Sequence, residues 1–162
     1  MDDLHKKLKD IKIILFDLEG VLLNDYENHD EETLRKIGES FKSFCEKVKK
    51  YNLKGGIVTA SNIKIHLKQF MKIPDSEILT SSIDKVSNVR KLMSKLGIEF
   101  RNIFYIGDDI LDIPLLMKVG VSAAPKNSRR EVKRIVDYIS PAHGGEKLLE
   151  DVQNLFIKLY SD

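Results

Sequence analysis

The sequence predicts an α/β fold built on a parallel sheet. Short apolar runs rich in Ile and Val alternate along the chain with longer stretches in which apolar residues recur every three or four positions. The short runs are continuously apolar, which is typical of strands that are covered on both faces. Strands that alternate with helices of this length form βαβ units, so we expect a doubly wound parallel sheet with helices on both sides.

The first apolar run shows the pattern that the strands follow. It covers residues 11–16 and is closed by Asp17 and by Gly20, a residue that allows a tight turn. We expect further strands at residues 55–59, 78–79, 103–106, 120–125 (with a loop at its end) and 136–139.

Helical spacing separates these strands. It is clearest over residues 34–50, where Leu34, Ile37 and Phe41 would face inward. Residues 24–32 are polar and rich in turn residues, so we expect a loop or small hairpin there. Further helices are predicted at residues 63–71, 86–96, 110–118, 129–135 and 146–160. Gly97 is a suitable stop for the helix that precedes it.

The composition narrows the class of protein. The 162 residues fit a single domain, 1–162, with its own core. The balance of 27 basic against 25 acidic residues gives no case for a nucleic-acid partner, and the apolar runs are too short to span a membrane. The one cysteine, Cys45, fits a reducing compartment. We therefore expect a soluble cytoplasmic protein whose partners are small molecules or copies of itself.

The candidates for chemistry all come at or shortly after the carboxyl end of a predicted strand. They are Asp17, Glu19, Thr59, Lys85, Asp108, Asp109 and Asp112. Ligands bind at this edge in open α/β sheets, so these side chains can converge on one site. Clustered carboxylates repel one another unless one is protonated or a cation lies among them, and hard oxygen ligands suit Mg²⁺. The pattern therefore favours a magnesium site.

Each candidate taken singly also has a structural explanation. A helix cap accounts for Asp17 or Thr59, and an acid in the first turn of a helix accounts for Asp109 or Asp112. Lys85 could be a surface lysine, but the dipole at a helix N-terminus disfavours a cation by up to about 1 kcal/mol, so a nearby anion would help to explain it. The combination, in this order along the chain, indicates a functional site.

The sequence resembles the haloacid dehalogenase superfamily of phosphotransferases in four motifs. These are residues 16–21 (FDLEGV), 57–59 (IVT), 84–85 (DK) and 105–112 (YIGDDILD). Within the superfamily, the small size and residues 119–123 and 141–146 are similar to the capless sugar-acid phosphatases. The resemblance implies a Rossmann-like doubly wound sheet without a large cap domain. It also implies a phosphatase with Mg²⁺ as cofactor and a small phosphorylated sugar or sugar acid as substrate.

The same resemblance implies the roles of four residues in catalysis. Asp17 would attack phosphorus and form an aspartyl phosphate. Glu19 would protonate the leaving alkoxide and then deprotonate the water that hydrolyses the intermediate. Thr59 and Lys85 would bind the phosphoryl oxygens.

The metal site and the assembly are also implied by the resemblance. Mg²⁺ would be held by the side chains of Asp17 and Asp108 and by the backbone carbonyl of Glu19, with Asp109 and Asp112 as further metal candidates. The resembled enzymes have no cap and cover the active edge with neighbouring subunits. We therefore expect a homo-oligomer, specifically a tetramer.

The sequence departs from the family pattern at several positions. Glu19 stands where the family has Asp, and the extra methylene can move a proton donor by about 1 Å, enough to cost roughly 10²-fold in rate. Ala60 and Ser61 replace a frequent Gly-Arg pair, Glu146 follows Gly145 where the family has a different tail, and residues 37–39 lack an Asp-Gly pair. A second interpretation is therefore a catalytically weak relative kept for oligomerisation or binding.

A third interpretation is a two-component receiver domain, which also places acids, Thr and Lys around Mg²⁺. Receiver domains carry their acidic pair first along the chain. Here the acidic pair, Asp108 and Asp109, comes last among the motifs. The order of the residues therefore disfavours this interpretation.

Overall fold

The computed structural model describes residues 3–24, 29–62 and 67–161. The strands are β1 Ile13–Phe16, β2 Lys54–Val58, β3 Glu77–Leu79, β4 Ile103–Ile106, β5 Val121–Ala124 and β6 Tyr138–Ile139. In the described part of the chain the helices are α1 Asp3–Lys9, α2 Glu31–Lys49, α3 Lys85–Leu96, α4 Ile113–Leu116, α5 Arg130–Lys133 and α6 Glu146–Ser161. Two 3₁₀ turns, Phe100–Asn102 and Ile110–Asp112, flank β4.

The six strands form one parallel sheet in the order β3-β2-β1-β4-β5-β6. β1 lies in the middle and pairs with β2 on one side and β4 on the other. The chain therefore moves outward from β1 to β3, returns across the sheet to β4, and then moves outward in the opposite direction. In such sheets the point where the strand order reverses is where ligands bind, at the carboxyl ends of the strands.

Helices cover both faces of the sheet, as the continuously apolar strands predicted. On one face Ile14 and Phe16 of β1 pack with residues of α2 and α6, and the ring of Phe16 meets that of Phe44 edge-on at 5.2 Å. On the other face Ile13 and Leu15 join a second core formed with α3, α4 and α5. The predicted doubly wound α/β fold is confirmed.

The connections near the carboxyl ends of β1 and β2 are short. Residues 17–30 link β1 to α2, and residues 59–76 link β2 to β3. A segment of either length is too short to form a domain with its own core, which agrees with a fold without a large cap. In the described ranges of the chain no helix has the length and apolar character needed to cross a membrane.

Several element boundaries differ from the sequence prediction. The first strand begins at Ile13 rather than at residue 11, and the first long helix begins at Glu31 rather than at residue 34. The helix starts earlier because the Asp30 side chain accepts a hydrogen bond from the Thr33 amide at 2.8 Å and so caps it. Of the predicted loop over residues 24–32, residues 25–28 lie outside the described part of the chain.

Other differences lie further along the chain. The predicted helix over residues 110–118 is a 3₁₀ turn followed by the four-residue helix α4, which carries a proline in its first turn. Residues 63–66 of the predicted helix 63–71 are outside the described ranges, and residues 68–72 are turns. Gly97 ends α3 with a left-handed backbone, φ 65°, as its position predicted.

Candidate active site

Asp17 and Lys85 meet at the carboxyl edge of the sheet. Asp17 follows the last residue of β1, and its amide donates to the carbonyl of Ile106 on β4 at 3.0 Å. Lys85 is the first residue of α3, and its Nζ lies 3.0 Å from Asp17 Oδ1. The Leu18 amide donates to the same Oδ1 at 2.8 Å. Both side chains are almost completely buried, so this pair is not an ordinary surface ion pair.

Asp112 holds Lys85 from the other side. Its Oδ1 accepts hydrogen bonds from Lys85 Nζ and from the hydroxyl of Tyr105, both at 2.6 Å. Its Oδ2 accepts the backbone amides of Asp108 at 3.0 Å and Asp109 at 3.2 Å. A buried carboxylate whose two oxygens are both used in this way fixes the loop after β4 as well as the lysine. The anion that Lys85 needs at a helix N-terminus is therefore present twice, in Asp17 and Asp112.

Three carboxylates come together at this edge. Single oxygen atoms of Asp17, Asp108 and Asp112 all lie within 4.8 Å of one another. Gly20, with φ 79°, makes the approach possible, because a Cβ at this position would overlap Asp108 Oδ2. Three negative carboxylates against the single ammonium of Lys85 leave two negative charges, and a divalent cation with a preference for oxygen ligands would neutralise them. The residues present therefore fit Mg²⁺.

The titration behaviour of the cluster reflects this crowding. Burial and the negative charge of Asp112 raise the pKa of Asp17 well above its usual range, although Lys85 acts in the opposite direction. Burial works to raise the pKa of Asp112 too, but Lys85 and Tyr105 outweigh it and the pKa of that carboxyl is lowered. Burial also opposes the charge on Lys85, yet Asp17 and Asp112 outweigh it and raise its pKa. Without a further cation, burial and the neighbouring carboxylates therefore disfavour the ionised form of Asp17.

Glu19 and Thr59 meet on the side of β1 that faces β2. The hydroxyl of Thr59, immediately after β2, donates to Glu19 Oε2 at 3.3 Å and accepts the Ser61 amide at 3.0 Å. Thr59 is fully buried and Glu19 is half-buried. The structure thus brings Glu19 and Thr59 to the edge that carries Asp17, as their sequence positions predicted.

Asp109 is the predicted metal candidate that the structure places apart. Its Oδ1 accepts the Ile110 amide at 2.6 Å and lies 2.8 Å from Nε of Arg129, and about half of its side chain is exposed. Among the described residues the group of carboxylates close enough to share one metal ion contains Asp17, Asp108 and Asp112 but not Asp109. Asp109 therefore acts in this structure as a cap of the 3₁₀ turn and a partner of Arg129.

Two residues that sequence reasoning did not identify support the site. Tyr105 lies in the middle of an apolar strand, and its hydroxyl is 2.6 Å from Asp112 Oδ1 and 3.2 Å from Lys85 Nζ. Asn127 donates from Nδ2 to the carbonyl of Gly20 at 3.2 Å and accepts the Gly144 amide at 2.8 Å. A polar hydroxyl within a buried strand was a signal for Tyr105, whereas the contacts of Asn127 span 107 residues to Gly20 and 17 to Gly144 and leave no local pattern.

Comparison with known proteins agrees with this geometry. A family model of haloacid dehalogenase-like hydrolases matches residues 30–144, which include Thr59, Lys85 and Asp108. The chain belongs to the haloacid dehalogenase-like hydrolase family. The predicted superfamily is thereby confirmed, and Asp17 and Glu19 lie just before the matched span.

The curated relatives extend the match to nearly the whole chain. The chain is 22% identical over 162 residues to 3-deoxy-D-manno-octulosonate 8-phosphate phosphatase KdsC of Haemophilus influenzae, which covers 96% of this chain and 87% of the relative. It is 23% identical to KdsC of Escherichia coli strain K12, over 96% of this chain and 84% of the relative.

Solved structures share the fold. The structure of 3-deoxy-D-manno-octulosonate 8-phosphate phosphatase from Moraxella catarrhalis, a complex with magnesium, phosphate and KDO, has a TM-score of 0.82 at 23% identity and covers 98% of this chain and 92% of its own. The cobalt-bound phosphatase YrbI from Haemophilus influenzae has a TM-score of 0.80 at 21% identity and covers 96% of this chain and 92% of its own. Both agree with a small sheet protein without a large cap.

Proposed function

We propose that this protein is a Mg²⁺-dependent phosphomonoester hydrolase in which Asp17 is the nucleophile. The observation that carries the proposal is the position of Lys85, buried and 3.0 Å from Asp17 Oδ1, with the Asp108 carboxylate beside them. Hydrolysis of a phosphate ester brings one anion against another, so a nucleophilic carboxylate needs positive charge at this place. Phosphatases among the relatives support the same class of reaction.

The reaction takes two steps on this chain's residues. An oxygen of Asp17 attacks phosphorus, the bond from phosphorus to the ester oxygen breaks, and Glu19 gives its proton to the leaving alkoxide. Water then attacks phosphorus, the bond to Asp17 breaks, and Glu19 takes the proton of that water. Lys85 and Thr59 hold the phosphoryl oxygens in both steps, and each of them lies next to the carboxylates already described.

The metal site proposed for this reaction uses Asp17, Asp108 and the backbone carbonyl of Glu19. When bound, Mg²⁺ supplies positive charge to the phosphoryl oxygens. Asp112 serves chiefly to hold Lys85 and the loop after β4, because both of its oxygens already accept hydrogen bonds. Asp109, paired with Arg129, is left outside the metal site.

The proposed substrate is a phosphorylated sugar or sugar acid such as 3-deoxy-D-manno-octulosonate 8-phosphate. The curated relatives act on that compound by name, and the chain aligns with them over almost its full length. Ala60 and Ser61 stand where the resembled enzymes often have Gly-Arg, so the anion-binding arginine expected there is missing. Neutral sugar phosphates therefore belong in the same test.

The experiment is a screen of purified protein with Mg²⁺ against a library of sugar and sugar-acid phosphates. Activity is measured as the release of inorganic phosphate. We expect turnover of at least one ester, dependence on the metal, and loss of at least about 10³-fold in rate for Asp17→Asn. Asp109→Asn is the matched control, because it removes a neighbouring carboxylate that lies outside the cluster. Equal rates for wild type and Asp17→Asn would overturn the assignment of the nucleophile.

The second candidate function is a catalytically weak module kept for oligomerisation or binding. The observation that favours it is Glu19, which replaces the usual Asp and contacts the Thr59 hydroxyl at 3.3 Å. A protein of this kind would bind Mg²⁺ and inorganic phosphate at the carboxyl edge but would hydrolyse none of the esters in the screen. Binding and hydrolysis measured on the same purified protein thus distinguish the two functions.

The remaining proposals concern assembly and location. We propose a homo-oligomer, a tetramer as in the resembled enzymes, in which residues 24–39 and the segment around Gly144 and Gly145 lie at subunit contacts. A cytoplasmic location is supported by a single cysteine without a disulfide partner.

A further inference from the structure

A cavity lies at the edge of the sheet opposite to the candidate active site. It has a volume of about 620 Å³ and is lined by residues at the amino ends of β1 and β2, by the turn before β2 and by the loop before β3. One wall is a face of α2, formed by Lys42, Cys45, Glu46 and Lys49. These positions repeat every three and four residues, so they lie on the same side of the helix. The catalytic carboxylates do not line this cavity.

The inner part of the cavity is apolar. Ile13, Leu53 and Ile73 line it and are nearly fully buried. Cys45 lies beside them because β2 carries Gly55 at the facing position, where a Cβ would come within 2.6 Å of the sulfur. Burial raises the pKa of the Cys45 thiol to about 12, so the thiol is a neutral, apolar part of this wall.

The rim of the cavity is positively charged. Lys49 is paired with Asp75 at 2.8 Å, and Lys54 is paired with Glu77 at 3.1 Å. The Lys12 and Lys42 side chains form no ion pair with any residue in the ranges that the structure describes. The lining contains two carboxylates, and since Asp75 is already paired with Lys49, only Glu46 is left against these two ammonium groups. The cavity therefore has one uncompensated positive charge over an apolar interior.

We propose that this cavity binds a small organic anion with one charged group and an apolar body. The charged group lies between Lys12 and Lys42, and the apolar body lies against Cys45 and the isoleucine and leucine side chains beneath it. The inference does not depend on the proposed phosphatase function, because the two sites are at opposite ends of β1.

A fluorescent aryl sulfonate, 8-anilinonaphthalene-1-sulfonate, is a suitable probe because it carries one negative charge on an apolar body. We expect it to bind the wild-type protein at one site, with a Kd that rises with salt. Lys42→Gln and Lys12→Gln should each weaken binding by up to about fivefold, the size of an exposed charge pair, and the double variant by on the order of tenfold. Lys42→Glu should weaken it further.

Lys47→Glu is the matched control. Lys47 is an exposed lysine on the same helix, but it lines a different depression on the surface. We expect the Lys47→Glu variant to bind the probe like the wild type. Near-ultraviolet circular dichroism identifies any variant that has lost native packing, and Lys42→Gln replaces Lys42→Glu if charge reversal alone disturbs the fold.

The single cysteine locates the bound probe. Cys45 should react more slowly with the neutral disulfide reagent 4,4′-dithiodipyridine when the sulfonate is present, and inorganic phosphate with Mg²⁺ should not displace the sulfonate. The proposal is overturned if Lys42→Glu and Lys47→Glu bind the probe equally well, if the labelling rate of Cys45 is unchanged, or if phosphate with Mg²⁺ competes with the probe.

Discussion

The hydroxyl of Thr59 donates a hydrogen bond to Glu19 Oε2 at 3.3 Å, joining the residue that follows β2 to the loop that follows β1. A threonine hydroxyl has one proton, so in this arrangement Thr59 cannot also donate to a phosphoryl oxygen. In the proposed reaction Glu19 must therefore release Thr59 when substrate binds.

The first prediction follows from this contact and concerns Glu19 as proton carrier. Glu19→Ala should lower kcat by on the order of 10² to 10⁴ if the side chain transfers the proton, and should leave it nearly unchanged if only the backbone carbonyl matters. Glu19→Asp, which restores the usual length, should turn over at least as fast as wild type. The measurement is the steady-state rate of the wild type, Glu19→Ala and Glu19→Asp on the best ester from the screen.

A Glu19→Asp enzyme that is slower than Glu19→Ala would contradict the prediction. It would mean that the site has been rebuilt around the longer carboxylate.

A second prediction concerns the stability that Lys85 provides. Lys85→Met should lower the free energy of unfolding by about 3 to 5 kcal/mol, because it leaves buried carboxylates without their cation. Lys95→Met, on the same helix, should lower it by less than about 1 kcal/mol, since Lys95 is exposed and its partner Glu77 keeps Lys54. Urea denaturation in the presence of a chelator measures the free energy of unfolding of both variants. Equal losses in the two would show that the buried lysine has no special role.

The third prediction tests the close approach of Gly20 and Asp108. An added Cβ at Gly20 overlaps Asp108 Oδ2, so Gly20→Ala should displace this carboxylate and weaken Mg²⁺ binding by about 10- to 100-fold. Gly97→Ala is the control: Gly97 also has a positive φ, but an added Cβ there meets nothing within 4 Å. That variant should lose about 1 kcal/mol of stability and no metal affinity. Calorimetric titration measures the Mg²⁺ affinity of both variants. Similar affinities would rule out a role of Gly20 in placing the Asp108 carboxylate for the metal.

A fourth prediction concerns pH. The pKa of Asp17 is raised in the folded protein, so its contribution to stability is present at low pH and is lost as pH rises through the folded-state pKa. Without metal, Asp17→Asn should therefore melt at a higher temperature than wild type at pH 8, and the difference should shrink toward pH 4. Saturating Mg²⁺ should stabilise the wild type more than the variant. Thermal melts across this pH range test it, and a wild type that is the more stable protein at pH 8 in chelator would contradict it.

The fifth prediction concerns assembly. Because the connections after β1 and β2 are too short to form a cap, the carboxyl edge would be open to water in a single chain. We expect light scattering at micromolar concentration to give the mass of a homo-oligomer. A mass near 18.6 kDa would instead indicate a monomer.

The fold was predictable from the sequence because its signals are local. The apolar run over Ile13–Phe16 has no polar alternation, which requires cover on both faces, and the helix over Glu31–Lys49 shows its inward face in the spacing of its apolar residues. Boundaries were less accurate where a single contact decides them. The cap that Asp30 provides moved the start of α2 by three residues.

The candidate site, like the fold, was predictable from the sequence only in part. The sequence by itself determined that Asp17, Thr59, Lys85 and Asp108 belong to one edge, because the carboxyl ends of parallel strands face in one direction. The assignment of catalytic roles to these residues stays a prediction.

Only the tertiary structure decided what each acid after β4 does. Asp109 and Asp112 lie three residues apart in one motif and look alike in the sequence, but the 3₁₀ turn at Ile110–Asp112 directs the first to Arg129 and the second to Lys85 and Tyr105. The partners of these carboxylates come from β4, α3 and the start of α5, far apart along the chain. Electrostatic pairing depends on distance in space, so no local pattern contains it.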